Sequence, residues 1–306
     1  MSVPIVLFVY NRPEKTRQII SAIYNQTIQP ARLIVFADAA KNADDEASVF
    51  AVREIINSIN WVDKQVIVRN NNLGCAANIV QGLNEVFAYN NQAIILEDDT
   101  LPSPHFYASL CKLLDRYSSE NKVFSVGGYP SIKFNALKEY PYDVIFSKRF
   151  SCWGWGTWDD RWNRISRNLL SFRNPFENYG SIPNDAGFDL PIMAKSACDR
   201  PGFYWDIPIA ITCLKLGFLH ALTRYYLINN IGLDSGTHGS QNINKKLLKF
   251  LNQNNLINDR MPQSFPEATF LPEVRDAVQE YIRDIYSISS NSPSFKQKLL
   301  LLLKHT

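Results

Sequence analysis

Three carboxylates in a row, Glu97-Asp98-Asp99, follow directly on the apolar run Ile94-Ile95-Leu96. Side by side they repel one another unless a cation or hydrogen-bond donors compensate. Hard divalent ions such as Mg2+ and Mn2+ prefer oxygen ligands of this kind and can bridge them to a diphosphate. The competing explanation is a solvated acidic turn ahead of the helix after Pro102, since anionic groups suit a helix start. A position at the end of a buried parallel strand favours the cation, because ligands of open α/β sheets gather there.

Other segments carry chemistry of a different kind. In Cys152-Trp153-Gly154-Trp155-Gly156-Thr157-Trp158, tryptophans alternate with small residues. Glycines let the backbone turn while the rings offer flat faces to the C–H faces of a sugar; the alternative is a tryptophan-rich core plug. Trp153 and Trp155 are expected at the site on the first view. Asn72 and Asn78 flank a helix start at Gly74, where free backbone N–H groups suit an anion; Asn78 equally suits a structural role in the loop. Asp206 follows Phe203-Tyr204-Trp205 and precedes Ile207-Pro208, a place that also suits a helix N-cap. His238 stands in a Gly-rich run, where Gly236 and Gly239 allow close backbone approach.

Periodicity shows what must position these groups. Val3 to Tyr10 is a near-continuous apolar run, the mark of a strand buried on both faces. Pro13 opens a helix over Glu14 to Asn25. Further strands are expected at Leu33 to Ala37, Gln65 to Arg69, Ala93 to Leu96 and Val123 to Val126. Helices are expected at Asp44 to Ile59, Cys75 to Tyr89 and His105 to Tyr117. Such alternation implies an α/β fold, a mostly parallel central sheet with flanking helices. Asn11-Arg12, Asp38 and Asp98-Asp99 follow three of the strands and should converge on one crevice. From about Ser147 the character changes: tryptophans crowd the chain as far as Trp162, and a loop-rich stretch follows to about Asp189; a helix over Ile207 to Leu216 and a strand near Leu222 to Ile228 come next.

Leu96 to Phe106, LEDDTLPSPHF, resembles the strand–acidic triplet–helix segment of GT-A glycosyltransferases, most nearly the N-acetylglucosaminyltransferase that initiates complex N-glycans. Val6 to Pro13 (VLFVYNRP) and Asn72 to Asn78 (NLGCAAN) resemble nucleotide-binding elements of bacterial family-2-like transferases. The resemblance is close over residues 1–130 and loose beyond. It implies a GT-A (Rossmann-like) fold with a nucleotide-sugar-binding half at 1–130, a loop-rich acceptor half of the same domain at 131–245, and peripheral helices at 246–306.

The resemblance also implies roles. Asp99 would ligate Mn2+ or Mg2+, with His238 at the place of the family's Ser-His-Gly. Glu97 and Asp98 would contact the ribose and donor sugar, Asp38 would accept from the base, and Tyr10 and Arg12 would line the nucleotide pocket. The tryptophan loop takes the place of a Gly-Leu-Gly-Trp loop that shapes the donor-sugar and acceptor pockets. Asp206 takes the place of a Trp-Asp-Asp whose Asp deprotonates the acceptor; here Ile207-Pro208 replaces the second carboxylate. UDP is the nucleotide such enzymes mostly use, and a base at Asp206 implies inversion. Each residue has a bland alternative: Tyr10 ending a strand, Arg12 pairing with Glu14, Asp38 capping the next turn, His238 exposed.

Bulk properties bound these expectations. The chain has 306 residues, 46% hydrophobic and 20% charged, as in folded globular proteins. A net charge of +3 is too small to argue for nucleic acid. Five scattered cysteines form no CxxC pair, which excludes a zinc or thioredoxin motif and favours a reducing cytoplasm. The N-terminus reads as neither signal peptide nor membrane span. The tail Ser294 to Thr306 sets lysines around five leucines, suited to an anionic membrane surface carrying a lipid-linked acceptor, or to docking on protein. Two rival functions use similar sheets: a nucleotidyltransferase, although Asn11-Arg12-Pro13 lacks its glycines, and a non-catalytic sugar-binding protein.

Overall fold

The computed structural model of the chain describes residues 3–232, 249–251 and 257–289. His238 and the Ser294 to Thr306 tail lie outside them.

The first half alternates strand and helix: β1 (Ile5–Val9), α1 (Pro13–Tyr24), β2 (Arg32–Ala37), α2 (Ala43–Asn57), β3 (Asp63–Val68), α3 (Cys75–Phe87) and β4 (Gln92–Glu97). Pro13 starts α1 where its missing N–H costs nothing. Asn42 caps α2 by accepting from Asp45 N. There follow β5 (Thr100–Pro102), α4 (Phe106–Arg116), β6 (Val123–Gly127), β7 (Val144–Ser147), β8 (Trp155–Trp158), α5 (Asp159–Ile165), α6 (Leu190–Asp199), α7 (Asp206–Lys215), β9 (Leu219–Thr223), β10 (Ile228–Asn230) and α8 (Pro272–Ser289).

One sheet carries the strands in the order β3-β2-β1-β4-β8-β6-β9-β7. β1 to β4 pair in parallel, and β6 is parallel to β9. β8 runs antiparallel between β4 and β6, and β7 runs antiparallel along β9. Alternation along β1 explains its unbroken apolar run. Ile5, Leu7 and Val9 enter a core shared with α1, α2 and α4, whereas Val6 and Phe8 enter a second core with α3. Register then levels the strand ends: Val9 pairs with Ala37 and Phe8 with Glu97. The residues just past β1, β2 and β4 therefore share one edge. A small second sheet pairs β10 with β5, setting Asn230 opposite Thr100.

Two expectations are corrected. Leu222 to Ile228 is not one strand: the chain leaves β9 at Thr223, turns, and re-enters as β10 in the small sheet. Leu227 makes the junction, donating its N–H to Gly128 and accepting from Ser103 N. The tryptophan segment is only partly a loop, since Trp155 to Trp158 is strand β8 and all four residues are buried. Its glycines serve close packing. A Cβ on Gly156 would lie 3.0 Å from Ala93 O across the strands, and one on Gly154 would lie 2.4 Å from the Ile228 side chain. Among the described residues no helix is long and apolar enough to cross a membrane.

Candidate active site

A cleft of about 320 Å3 opens at the shared strand edge. Tyr10 and Arg12 reach it from the end of β1, Asp38 and Lys41 from the end of β2, Asn72 and Cys75 from the turn into α3, and Glu97 and Asp98 from the end of β4. Gly202 and Phe203 close it from the loop before α7. Gly74 turns the chain into α3 at a φ of +76°, a backbone state that glycine adopts without strain.

The acidic triplet lies where the sequence expects it. Thr100 Oγ1 accepts from Glu97 N at 2.8 Å and donates back to Glu97 O at 2.9 Å, which tightens the turn that carries the three acids. Asp98, 3% exposed, accepts from Arg12 Nη2 at 2.9 Å and from Tyr10 N at 3.4 Å. Asp99 accepts from Arg12 Nη1 at 2.8 Å. Its backbone oxygen accepts from Ile231 N at 2.8 Å, so the segment after β10 is pinned to the triplet. Position 232 must then be glycine, because an added Cβ would lie 2.1 Å from Asp99 Oδ2. Arg12 thus holds two of the three acids and not Glu14, which pairs with Arg17.

Crowded acids in a cleft resist ionisation. Burial pushes Glu97 well above the usual carboxylate range, and Asp99, Asp98 and Asp206 push it the same way. Burial likewise raises Asp98 to about 6, although Arg12 opposes the shift. For Arg12 burial works against the charged form, but Asp98 and Asp99 outweigh it and raise its pKa.

Asp206, at the first turn of α7, is brought to the same place. Its Oδ2 lies 4.0 Å from Cys152 Sγ, and Glu97 Oε2 lies 4.0 Å from Cys75 Sγ. Burial drives both thiols well above their normal pKa, and Glu97 and Asp206 each add to both shifts. The two carboxyl groups therefore share one neighbourhood. Two other carboxylates of the second half are engaged elsewhere: Asp189 is buried in a two-point pair with Arg149, at 2.8 and 3.0 Å, and Asp160 pairs with Arg161.

Other expected site residues take varied positions. Asp38 lines the cleft, but its carboxylate is already engaged. Oδ1 accepts from Ala39 N and Leu73 N, each at 2.9 Å, while Oδ2 accepts from Gly74 N at 2.9 Å and Asn72 Nδ2 at 3.3 Å. Four donors match the acceptor capacity of a carboxylate, so Asp38 organises the loop ahead of α3. Tyr10 presents its ring to the cleft while its hydroxyl donates to Asp45 Oδ2 at 2.8 Å and accepts from Lys41 N at 3.1 Å. Burial and Asp45 raise its pKa to about 12. Asn78 is buried at the cleft wall and accepts from Arg69 Nε at 3.2 Å.

The tryptophans divide. Trp153 is partly buried with its ring edge-on to Tyr129, centroids 4.6 Å apart. Trp155 is a core residue: fully buried, its ring lies between Phe124 and Trp205, so it offers no face to a sugar. The sequence reading missed Asp45, which fixes Tyr10 and also accepts from Asn11 Nδ2 at 2.7 Å. It also missed Lys41, Cys75 and Cys152. Nothing in their local pattern marks them; only the Phe203-Tyr204-Trp205-Asp206 run pointed to Phe203.

The donor set suits a divalent cation of the Mg2+ or Mn2+ kind. Such ions are held by one or two carboxylates together with substrate phosphates, and Asp98 and Asp99 already share one cationic partner at the cleft. Among the described residues no group of three His, Cys, Asp or Glu side chains forms a ready-made metal cage.

Residues 5–188 match the model of glycosyl transferase family 2. Among solved structures the chain is similar to the mannosyltransferase PcManGT from Pyrobaculum calidifontis, in complex with GDP-Man and Mn2+, at 13% identity and a TM-score of 0.49, over 100% of this chain and 76% of that one. It is also similar to S. aureus TarS 1-349, at 9% identity and a TM-score of 0.43, over 95% of this chain and 74% of that one. The same TarS segment in complex with UDP-GlcNAc aligns at 10% identity and a TM-score of 0.43, over the same shares. No curated protein matches the chain.

Proposed function

The chain belongs to glycosyl transferase family 2 and is a glycosyltransferase, and from that premise we propose that it transfers a sugar from a nucleotide-sugar, UDP-linked, to a glycan or lipid-linked acceptor with inversion. The observation that carries this reading is Asp206, brought from the first turn of α7 to the neighbourhood of Glu97.

In this mechanism the base and ribose lie between Tyr10, Asn72 and the loop that Asp38 organises, and the diphosphate faces Arg12 and the triplet. Asn78 supports the wall and Trp153 borders the acceptor side. Asp206 takes the proton of an acceptor hydroxyl as its oxygen bonds to the anomeric carbon. The bond from that carbon to the diphosphate oxygen breaks on the opposite face, and the nucleoside diphosphate leaves with the electron pair. Glu97, with its carboxyl pushed toward the neutral form, is suited to donate a hydrogen bond to the donor sugar. Asp99, with Asp98 and His238, would hold Mn2+ or Mg2+, whose charge would stabilise the departing diphosphate. The Ser294 to Thr306 tail, with its leucines and lysines, supports contact with an anionic membrane surface where a lipid-linked acceptor resides.

A panel of UDP- and GDP-sugars, each with Mn2+, tests this reading. Thermal shift should single out one donor, because a ligand that binds only the folded state raises its melting temperature. That donor should then be hydrolysed slowly without acceptor. A chain stabilised by no nucleotide-sugar would overturn the assignment of the cleft.

A further inference from the structure

Arg12 sits between two acids that the triplet's chemistry would reserve for a divalent ion. Its Nη2 is 2.9 Å from Asp98 Oδ1 and its Nη1 2.8 Å from Asp99 Oδ2. The side chains of Asp98 and Asp99 are only 4% and 16% exposed. Asp98 Oδ2 faces Tyr10 N at 3.4 Å, and Asp99 is held against the α-carbon of Gly232. A divalent ion on these oxygens would lie a few ångströms from the guanidinium and be repelled by it. The guanidinium itself is placed to move: Arg12 lies just ahead of α1, its side chain is 21% exposed, and it lines the cleft.

We propose that Arg12 is the resident counter-cation of the triplet, and that a divalent ion can take its place only as a nucleoside diphosphate draws the guanidinium away. This rests on the reading given under Proposed function. A diphosphate offers Arg12 the same paired oxygens that Asp98 and Asp99 offer now, so the planar fork exchanges one two-point partner for another. The carboxylates it leaves are then open to the ion. Ion and nucleotide become coupled: each strengthens the binding of the other by the same factor, and the ion alone binds poorly. Arg12 is a positioning residue for the ion and a direct ligand of the departing diphosphate.

Mn2+ binding to the full chain without nucleotide, followed by the electron paramagnetic resonance of the free ion, tests this. Arg12→Gln should bind Mn2+ at least about tenfold more tightly than the wild type, since a like charge is removed from beside the site. Arg12→Lys, which can reach only one carboxylate at a time, should fall between them. Arg12→Gln also leaves the buried Asp98 and the half-buried Asp99 without their shared cation, so Mn2+ should raise its melting temperature well beyond the shift seen for the wild type. Equal Mn2+ affinity in all three proteins would overturn the exchange and leave the metal site standing. Absence of Mn2+ binding in all three, even with UDP or GDP present, would instead remove the metal assignment itself.

Discussion

Replacing Asp38 by Asn separates two roles that one carboxylate cannot fill at once. If it reads the nucleobase, its oxygens must be available to a ligand. In the structure each oxygen already accepts from two donors, three of them backbone N–H groups at 2.9 Å. The amide keeps the shape but turns one oxygen into an NH2 group. Whichever oxygen is lost, two donors lose their acceptor: Ala39 N with Leu73 N, or Gly74 N with Asn72 Nδ2. Hydrogen bonds to a charged group contribute about 1.5–3 kcal/mol each, so the gross loss is about 3–6 kcal/mol. Relaxation of the loop over residues 70–74 recovers part of it, and we expect about 3 kcal/mol. An unfolding entropy of about 2.1 cal/mol/K per residue makes that a fall of about 5 °C in melting temperature for a chain of this length. Circular-dichroism melting without nucleotide, with UDP titration alongside, gives both readouts. Asp38→Asn with unchanged melting and lost UDP binding would refute the structural role and return Asp38 to the base.

Two further outcomes follow from the same geometry. Asp206→Asn should lower sugar transfer by about 10²–10⁴-fold, the usual contribution of a general base, with donor affinity and melting preserved; full transfer in this variant would remove the base assignment. Burial holds His220 neutral down to about 3, with Ser125 Oγ at 2.8 Å from its Nδ1. The unfolded ring protonates near about 6.5, so between these values the unfolded chain binds more protons. Its contribution is therefore constant above about pH 7 and declines below it, by about 2 kcal/mol at about pH 5. Urea unfolding at both pH values should show the wild type losing about 2 kcal/mol more than His220→Asn between them, and an equal change in both would count against it.

The local pattern was enough for the first half of the fold. β1 to β4 and their helices carry apolar periodicities strong enough to announce themselves, and Glu97-Asp98-Asp99 sits at the end of β4 by simple adjacency. Once those strands were parallel, the meeting of Arg12, Asp38 and Asp98 at one edge followed from their common direction, which sets all their carboxyl ends on the same side of the sheet. Tertiary structure decided the partners. A Gly-Trp alternation looks the same in a sugar-binding loop and in a strand squeezed between two others; only the insertion of β8 between β4 and β6 shows that Gly156 serves close packing and that Trp155 is core. Likewise no spacing in the sequence says that Arg12 will bind Asp98 and Asp99, or that Asp206 will come to Glu97. Period and polarity are properties of neighbours along the chain, whereas the charge balance of a cleft depends on groups that only folding brings within a few ångströms of one another.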